Sequence, residues 1–243
     1  MEADANPVPG LLHKYHGRVL LTTVPHCAIH CRYCFRRHFN YGGNTPSRLQ
    51  WNQALDYIRS DQSIEEVILS GGDPLAASDR QLARLIGQLD EIPHLTTLRI
   101  HSRMPIVLPE RLTVELIYLL EKSRLKPILV LHCNHAQEIS PSVARYLHKI
   151  DANRVKMLNQ SVLLAEVNDN STILSKLSRA LFALNVLPYY LHLPDRVAGT
   201  AHFAVTPIKG REIIQEMENQ LPGYLVPQLV QEEPGKPAKS RMR

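Results

Sequence analysis

Short apolar runs rich in β-branched residues alternate along the chain with longer segments of helical spacing. In residues 51–60, for example, the apolar side chains recur three and four positions apart, as on one face of an amphipathic helix. The pattern predicts six strands and six helices in alternation. The predicted strands are residues 18–24, 66–70, 95–101, 127–132, 154–158 and 187–193. The predicted helices are residues 51–60, 79–89, 109–122, 141–150, 172–184 and 210–220.

This repeat predicts an α/β fold with a parallel sheet. After the first strand, successive strands start roughly 30 residues apart, which is the length of one right-handed βα crossover unit. Six such units are compatible with a partial barrel or with an open sheet. In both architectures the residues that follow each strand meet at the carboxyl edge of the sheet, where α/β enzymes place their chemistry.

Composition and charge exclude several classes of protein. Of the 243 residues, 44% are hydrophobic and 21% are charged, which is typical of a globular chain. No apolar run reaches the roughly 18 residues of a membrane span, and the first residues lack a secretion signal, so we expect no membrane association and a cytoplasmic location. The net charge of +5 includes four basic residues within residues 235–243, which argues against nucleic acid as a partner.

Three of the four cysteines lie within eight residues, at Cys27, Cys31 and Cys34. With the spacing Cys-x3-Cys-x2-Cys they can bind three irons of a 4Fe-4S cluster and leave the fourth iron without a protein ligand. Cys133 is a conceivable fourth ligand, although it lies far away in the sequence. A zinc knuckle is the structural alternative, because a histidine can complete a Cys3His set. The candidate histidines are His26, His30 and His38.

With Tyr33 as the aromatic residue before the last cysteine, the motif resembles that of the radical S-adenosylmethionine (SAM) superfamily. The resemblance implies that SAM chelates the open iron and that one electron from the cluster cleaves its sulfonium bond. The segment Gly71, Gly72, Asp73 and Pro74 resembles the superfamily segment that binds the methionine amino group. Read alone, it is an ordinary tight turn. His132 and Gln160 are further candidate SAM contacts, or structural hydrogen-bonding residues.

A narrower resemblance covers nearly the whole chain. Residues 14–20, 31–37, 69–74, 159–164 and 188–190 resemble segments of the lysine 2,3-aminomutase family. Residues 6–15, 36–39 and 101–107 resemble the branch of that family associated with elongation factor P. The resemblance implies a partial (β/α)6 barrel and an isomerase that forms (R)-β-lysine for attachment to elongation factor P.

The family also implies pyridoxal phosphate, bound to a lysine that falls on Lys239. On sequence alone this lysine, in a Pro-rich basic tail, is a solvated residue, and Lys236 is a nearby competitor. A lysine that binds this cofactor must lose its proton, which burial or neighbouring cations favour. Tyr15 and Arg18 match a family segment expected near the cofactor's phosphate ester.

Substrate recognition follows from charge. Lysine bound through its α-nitrogen presents a carboxylate and a distant ammonium, so a binding site needs a guanidinium at one end and carboxylates at the other. By family position, Arg36 binds the carboxylate, and Asp195 and Glu232 receive the ammonium. Relatives have aspartate where this chain has Glu232. Read singly, each of these residues is an ordinary surface charge.

We therefore expect a lysine 2,3-aminomutase with a 4Fe-4S cluster, SAM and pyridoxal phosphate. Residues 1–17 form a lead-in segment, residues 18–222 the partial barrel, and residues 223–243 a segment that carries the cofactor lysine. The expected partners are L-lysine, an electron donor such as flavodoxin or ferredoxin, and indirectly the elongation factor P pathway enzymes. The alternatives are a radical SAM enzyme without pyridoxal phosphate and a zinc-stabilised binding module.

Overall fold

The computed structural model describes residues 6–34, 36, 48–233, 236 and 238–242. These residues contain strands β1 to β9 and α-helices α1 to α7. The strands are Leu11–Tyr15, Arg18–Val24, Glu66–Gly71, Thr97–Ser102, Lys126–His132, Lys156–Val162, Val186–His192, Gln228–Gln231 and Ser240–Arg241. The helices are Arg48–Ser60, Asp79–Asp90, Met104–Val107, Val114–Lys122, Pro141–Leu147, Ser171–Phe182 and Pro207–Glu218.

All nine described strands form one sheet in chain order. Strands β2 to β8 are parallel, whereas β1 pairs antiparallel with β2 and β9 pairs antiparallel with β8. Each strand from β2 to β7 is followed by at least one helix, which makes six βα units. The predicted α/β fold with a partial (β/α)6 barrel is therefore confirmed.

The two faces of the sheet differ in polarity, as β4 shows. Leu98, Ile100 and Ser102 are buried, whereas the alternating residues Arg99 and His101 are only partly buried. Because side chains alternate between the faces of a strand, the first set packs under the helices and the second lines the concave interior. The hydrophobic core thus lies between sheet and helices, and polar groups remain available inside.

Polar caps define where several helices begin. Ser78 accepts a hydrogen bond from Gln81 N, and the Gln81 side chain accepts one in return from Ser78 N, which forms a capping box before α2. Asn170 caps α6, and Thr206 caps α7 directly before Pro207. These caps satisfy backbone N–H groups that have no partner within the helix.

The helix predicted for residues 109–122 begins later than expected. Pro109–Arg111 forms a single 3-10 turn, and the α-helix starts at Val114. Thr113 sets this start, because its hydroxyl accepts a hydrogen bond from Leu116 N at 3.1 Å. Pro109 suits the first position of a helix, but the threonine cap gives the longer segment a better start.

The strand predicted for residues 154–158 is also shifted, since β6 begins at Lys156 and ends at Val162. Asn159 and Gln160 were expected after this strand but lie within it. The Asn159 side chain accepts from Cys133 N at 2.9 Å and donates to Cys133 O at 3.0 Å. The strand can therefore continue through Asn159, because the hydrogen-bonding groups of its buried side chain are paired with the backbone of Cys133.

Strands β1, β8 and β9 were not predicted. β1 lies within the proposed lead-in segment, and β8 and β9 lie within the proposed C-terminal segment. The division at residues 17 and 222 stays a prediction. Among the described residues, no helix combines the length and apolarity that crossing a bilayer requires.

Helix α2 offers a matched test of local stability. Ser78→Ala removes the capping box and should lower the free energy of unfolding by about 1 kcal/mol. Gly87→Ala should raise it by about 0.4–1 kcal/mol, because the added methyl group meets nothing within 4 Å and the unfolded chain loses freedom. Urea denaturation measures both changes. A stabilised Ser78→Ala protein would contradict the role of the cap.

Candidate active site

The turn after β3 packs directly against the segment that carries the cysteines. Gly72 N donates to Val24 O, and Asp73 N donates to His26 O, each at 2.9 Å. A Cβ on Gly72 would lie 2.3 Å from the same His26 oxygen, and Gly71 has a φ of +114°. Only glycine suits these positions, since a Cβ on Gly72 would overlap the His26 backbone and Gly71 has left-handed geometry. The glycines thus permit close packing within the protein, and their predicted approach to a cofactor stays a prediction.

Asp73 is buried, and its carboxylate joins this turn to the end of β4. One oxygen accepts from Ser102 Oγ at 2.6 Å and Leu75 N at 3.0 Å. The other accepts from Arg103 N at 2.7 Å and Met104 N at 3.1 Å. Burial raises the pKa of Asp73, while these hydrogen bonds oppose the rise. The carboxylate is engaged by four protein donors, which indicates a role in holding two loops together.

Cys27, Cys31 and Cys34 are free thiols on the loop after β2. Cys34 N donates to Cys31 O at 3.1 Å. Desolvation of the Cys27 thiol, together with the charges of Asp73 and the other two cysteines, raises its pKa to about 11. Three such thiols need a positive metal centre to become thiolates, and the donor set fits three irons of a cluster. In the described part of the chain, no three His, Cys, Asp or Glu side chains are placed to hold one metal ion.

The fourth cysteine is engaged differently. Cys133 is fully buried just after β5. Its sulfur donates to His135 O at 3.4 Å and lies 3.9 Å from a carboxylate oxygen of Glu138. Burial, with the nearby Glu138 charge, raises the pKa of Cys133 to about 12. Because the Cys133 thiol is buried and already donates to a backbone carbonyl, its environment argues against Cys133 as a fourth ligand.

Arg36 lies two residues beyond the last cysteine of the triple. Its guanidinium donates to Ser70 Oγ at 3.0 Å and to Gly71 O at 3.3 Å. Its charge also acts on Cys27 and on His132. Arg36 therefore places a cation between the cysteine loop and the barrel interior.

Three histidines line the interior near the carboxyl ends of β4, β5 and β7. His132 lies 2.8 Å from the Gln160 side chain, and the His101 and His132 rings stand edge to face with centroids 5.9 Å apart. Burial lowers the pKa of His132 to about 4 and that of His192 to about 3, and it lowers the pKa of His101 as well. Nearby cations strengthen each shift. These imidazoles are therefore neutral near pH 7.

A charged group, here named the Glu232 cluster, comprises Lys14, Tyr15, Glu232 and Lys239. One Glu232 oxygen accepts from the Lys14 ammonium and from Tyr15 OH at 2.6 Å, and the other accepts from Lys239 Nζ at 2.7 Å. Arg18 stacks on the Tyr15 ring, with its guanidinium carbon 4.8 Å from the centroid. Lys14 and Tyr15 end β1, whereas Glu232 follows β8 and Lys239 precedes β9. The cluster thus joins the two opposite edges of the sheet.

Asp195, in the loop after β7, is exposed but electrostatically linked to this cluster. Desolvation raises the pKa of its carboxyl group, the Lys239 charge lowers it and the Glu232 charge raises it further. Two carboxylates therefore act on the same lysine ammonium.

The structure arranges the predicted site residues in two groups connected by interior strands. The first group surrounds the cysteine loop and contains Cys27, Cys31, Cys34, Arg36, Gly71, Gly72, Asp73 and Pro74. The second group lies at the sheet edges and contains Tyr15, Arg18, Asp195, Glu232 and Lys239. His132 on β5 and Gln160 on β6 lie between them in the strand order.

A cleft of about 650 Å³ opens beside the cysteine loop. Cys31, Tyr33 and Phe203 line it together with polar groups that follow β4 and β5. The Tyr33 and Phe203 rings are edge to face at 6.4 Å, and Asn134 donates to Tyr33 OH at 2.6 Å. The volume lies within the usual range for a small-molecule site.

Some residues of the site were not predicted. His101 is the second-last residue of β4, and His192 is the last residue of β7. His101 lies beside the predicted residue His132 on β5, and His192 is on the strand next to β6, which carries the predicted residue Gln160. Histidines in alternation with buried apolar residues were a usable signal. Lys14 and Arg103 gave no such signal, because their partners are more than 30 residues away in the sequence.

Comparisons with known proteins identify the fold and the family. Residues 21–132 match the family model described as Radical SAM superfamily. A radical SAM methyltransferase from Sphaerobacter thermophilus has a similar structure, with a TM-score of 0.55 at 16% identity over 89% of this chain and 66% of that chain. The fold is thus that of a radical SAM protein.

Sequence relatives narrow the assignment. The L-lysine 2,3-aminomutase of Haemophilus influenzae is 49% identical over 239 residues, which cover 98% of this chain and 71% of that protein. The L-lysine 2,3-aminomutase of Escherichia coli is 48% identical over 240 residues, with coverages of 99% and 70%. The chain belongs to the lysine 2,3-aminomutase family, which confirms the resemblance seen in the sequence.

Glu232→Gln should remove a pH-dependent contribution to stability. Burial alone would raise the Glu232 pKa, but the hydrogen bonds from Lys14, Lys239 and Tyr15 outweigh it and lower the pKa to about 2 from 4.5. A carboxylate with a depressed pKa stabilises the fold above its unfolded pKa and loses that effect as the pH falls through its folded pKa. The gap in unfolding free energy between wild type and variant should therefore be complete at about pH 6 and shrink between about pH 4.5 and 2.

Urea denaturation at several pH values measures this gap. Glu218→Gln is the control, because it removes an exposed carboxylate at the end of α7. It should show no comparable gap at any pH. A gap for Glu232→Gln that does not change with pH would contradict the assigned ion pairs.

Proposed function

We propose that this chain is an L-lysine 2,3-aminomutase that converts L-α-lysine to (R)-β-lysine. The observation that carries the proposal is the Glu232 carboxylate, which accepts two lysine ammonium groups, one of them on Lys239 at 2.7 Å. A carboxylate so placed suits the ammonium of a lysine substrate. Further support comes from family membership and from the cysteine loop, which, like Glu232, follows the carboxyl end of a parallel strand.

The three cofactors of the family are a 4Fe-4S cluster, SAM and pyridoxal phosphate. The cluster and SAM together supply a carbon radical by one-electron cleavage of a sulfonium bond, and the pyridine ring system delocalises an unpaired electron. Cys27, Cys31 and Cys34 would hold the cluster. The 650 Å³ cleft beside Cys31 suits the nucleoside of SAM, because Tyr33 offers an aromatic surface there.

Lys239 is the candidate for binding pyridoxal phosphate, and cations lie nearby for its phosphate. Lys14 and Arg18 both approach the Tyr15 ring, at 5.1 and 4.8 Å from its centroid. Lysine and arginine side chains are the usual partners of phosphate groups. The Lys239 charge also lowers the pKa of His101 and of His192, so Lys239 is electrostatically linked to the interior imidazoles.

Charge orients the substrate in this proposal. Arg36, fixed by Ser70 and Gly71, would bind the substrate carboxylate through charged hydrogen bonds. Glu232 and Asp195 would receive the distant ammonium. Both carboxylates already act on the Lys239 charge, so a substrate ammonium would take over an existing favourable interaction.

Use of the product for elongation factor P, an electron donor such as flavodoxin or ferredoxin, and a cytoplasmic location stay predictions. The elongation factor P role rests on the resemblance of residues 6–15, 36–39 and 101–107 to one family branch. An alternative within enzymes is a radical SAM protein that lacks pyridoxal phosphate. A zinc-stabilised module is the alternative outside enzymes.

Anaerobic reconstitution with iron, sulfide, pyridoxal phosphate and SAM, in the presence of a one-electron reductant such as dithionite, tests the function when it is followed by analysis of the product formed from L-lysine. Wild type should form β-lysine and show the absorbance of lysine-bound pyridoxal phosphate. Lys239→Ala should abolish both signals. Lys236→Ala is the matched control, since Lys236 is exposed and should be dispensable.

Each alternative has a distinct outcome. Iron and sulfide without lysine-bound pyridoxal phosphate would indicate the radical SAM alternative. About one zinc per chain, with neither iron nor sulfide, would favour the binding module. Unchanged absorbance in Lys239→Ala would overturn the lysine assignment.

Asp195→Asn should weaken lysine turnover mainly through a higher KM. The amide keeps the shape of the side chain but removes one of the two carboxylates near Lys239. Loss of one charged partner at an exposed position should raise KM by about 1.5–5-fold, in line with the roughly 0.2–1 kcal/mol typical of an exposed ion pair. Steady-state kinetics measure the change, with Asp169→Asn as a control on the loop before α6. An unchanged KM would contradict this role of Asp195.

A further inference from the structure

Arg103 follows β4 and is held from several directions. Its backbone N–H donates to Asp73 at 2.7 Å. Its guanidinium forms an ion pair with Glu138 at 2.7 Å, and the guanidinium carbon lies 5.5 Å from the centroid of the Tyr33 ring. Both charged side chains are largely buried, with 17% of Arg103 and 23% of Glu138 exposed. The guanidinium therefore has one well-defined position.

Glu138 is fixed as firmly as its partner. Its second carboxylate oxygen accepts from the backbone N–H of Asn134 at 2.7 Å and of His135 at 3.0 Å. These bonds belong to the loop after β5, so the ion pair connects the loops after two adjacent strands. Backbone donors and low exposure therefore hold the Glu138 carboxylate in one position.

The free side of the guanidinium points at the cysteine triple. Arg103 Nη1 donates to Cys31 Sγ at 3.5 Å, a normal distance for a sulfur acceptor. Its stacking partner Tyr33 lies two residues further along the same loop. One side chain therefore contacts both a predicted iron ligand and the aromatic residue of the motif.

A donor at this position affects how readily an iron–sulfur cluster accepts an electron. The added electron increases the negative charge on the sulfur ligands, so hydrogen bonds and positive charges beside them favour the reduced state. A buried carboxylate has the opposite effect. Such charges interact more strongly in a poorly solvated site than in water.

We infer that Arg103 is a positioning residue that donates a charged hydrogen bond to the Cys31 ligand and sets the reduction potential of the cluster, with Glu138 as the opposing charge. The inference rests on the proposed function, because it requires the cluster on the three cysteines. It assigns the Arg103–Glu138 pair to the electron-accepting step, separate from substrate binding at the Glu232 cluster.

The reduction potential of the reconstituted cluster tests this inference, measured by redox titration with detection by electron paramagnetic resonance. Arg103→Met keeps most of the side-chain volume but removes the donor and the charge, so it should shift the potential to a more negative value. Glu138→Gln removes the opposing charge and should shift it to a more positive value. Arg59→Met removes an exposed cation on α1 and should leave the potential unchanged.

The outcomes separate the inference from the proposed function. If wild type assembles no cluster, the proposed function fails. If wild type assembles the cluster but Arg103→Met has the wild-type potential, the inference is wrong and the function stands. Shifts of the same sign in Arg103→Met and Glu138→Gln would indicate loosened packing and also overturn it. Should Arg103→Met fail to hold a cluster, a positive shift in Glu138→Gln would support the inference, and no shift or a negative one would contradict it.

Discussion

The buried carboxylate of Asp73 is the interaction on which the candidate active site depends. Removing a carboxylate from water costs several kcal/mol unless donors replace the water. Here four donors from its own turn and from the end of β4 do so. The same turn packs on His26 through Gly72, so hydrogen bonds and close packing connect the cysteine loop, the turn after β3 and Arg103. The buried Asp73 carboxylate therefore helps to fix the positions of these three segments relative to one another.

A second constraint arises because the sheet does not close on itself among the described residues. Strands β1 and β9 each have one unpaired edge, and the Glu232 cluster links the two edges through side chains. Charged contacts of partly exposed groups are weaker than a ladder of backbone hydrogen bonds. Such a junction can exchange partners, which suits a place where a substrate ammonium is to be bound and released.

The sequence was informative where the determinants are local. Strands β2 to β7 are apolar-rich runs of six or seven residues, and the cysteine triple and the Gly-Gly-Asp-Pro turn are each contiguous. By contrast, β8 spans four residues and β9 two, too few to show a period. The ion pair of Arg103 with Glu138, and the contacts of Lys14 with Glu232, form only when distant strands become neighbours. Asp73 was predicted to contact a ligand, but its hydrogen bonds to the end of β4 could not be predicted, because they form only when β3 and β4 become neighbours.

The charge balance of the interior favours a substrate with both signs of charge. His101, His132 and His192 are neutral near pH 7 because burial lowers their pKa values. Apart from the ion pairs of Arg99 with Glu66 and of Arg103 with Glu138, formal charges remain at Arg36, near the cysteine loop, and at the Glu232 cluster. A ligand with a carboxylate at one end and an ammonium at the other complements both without changing the net charge. A ligand with two carboxylates would leave Glu232 facing a like charge, a repulsion that the poorly solvated interior strengthens.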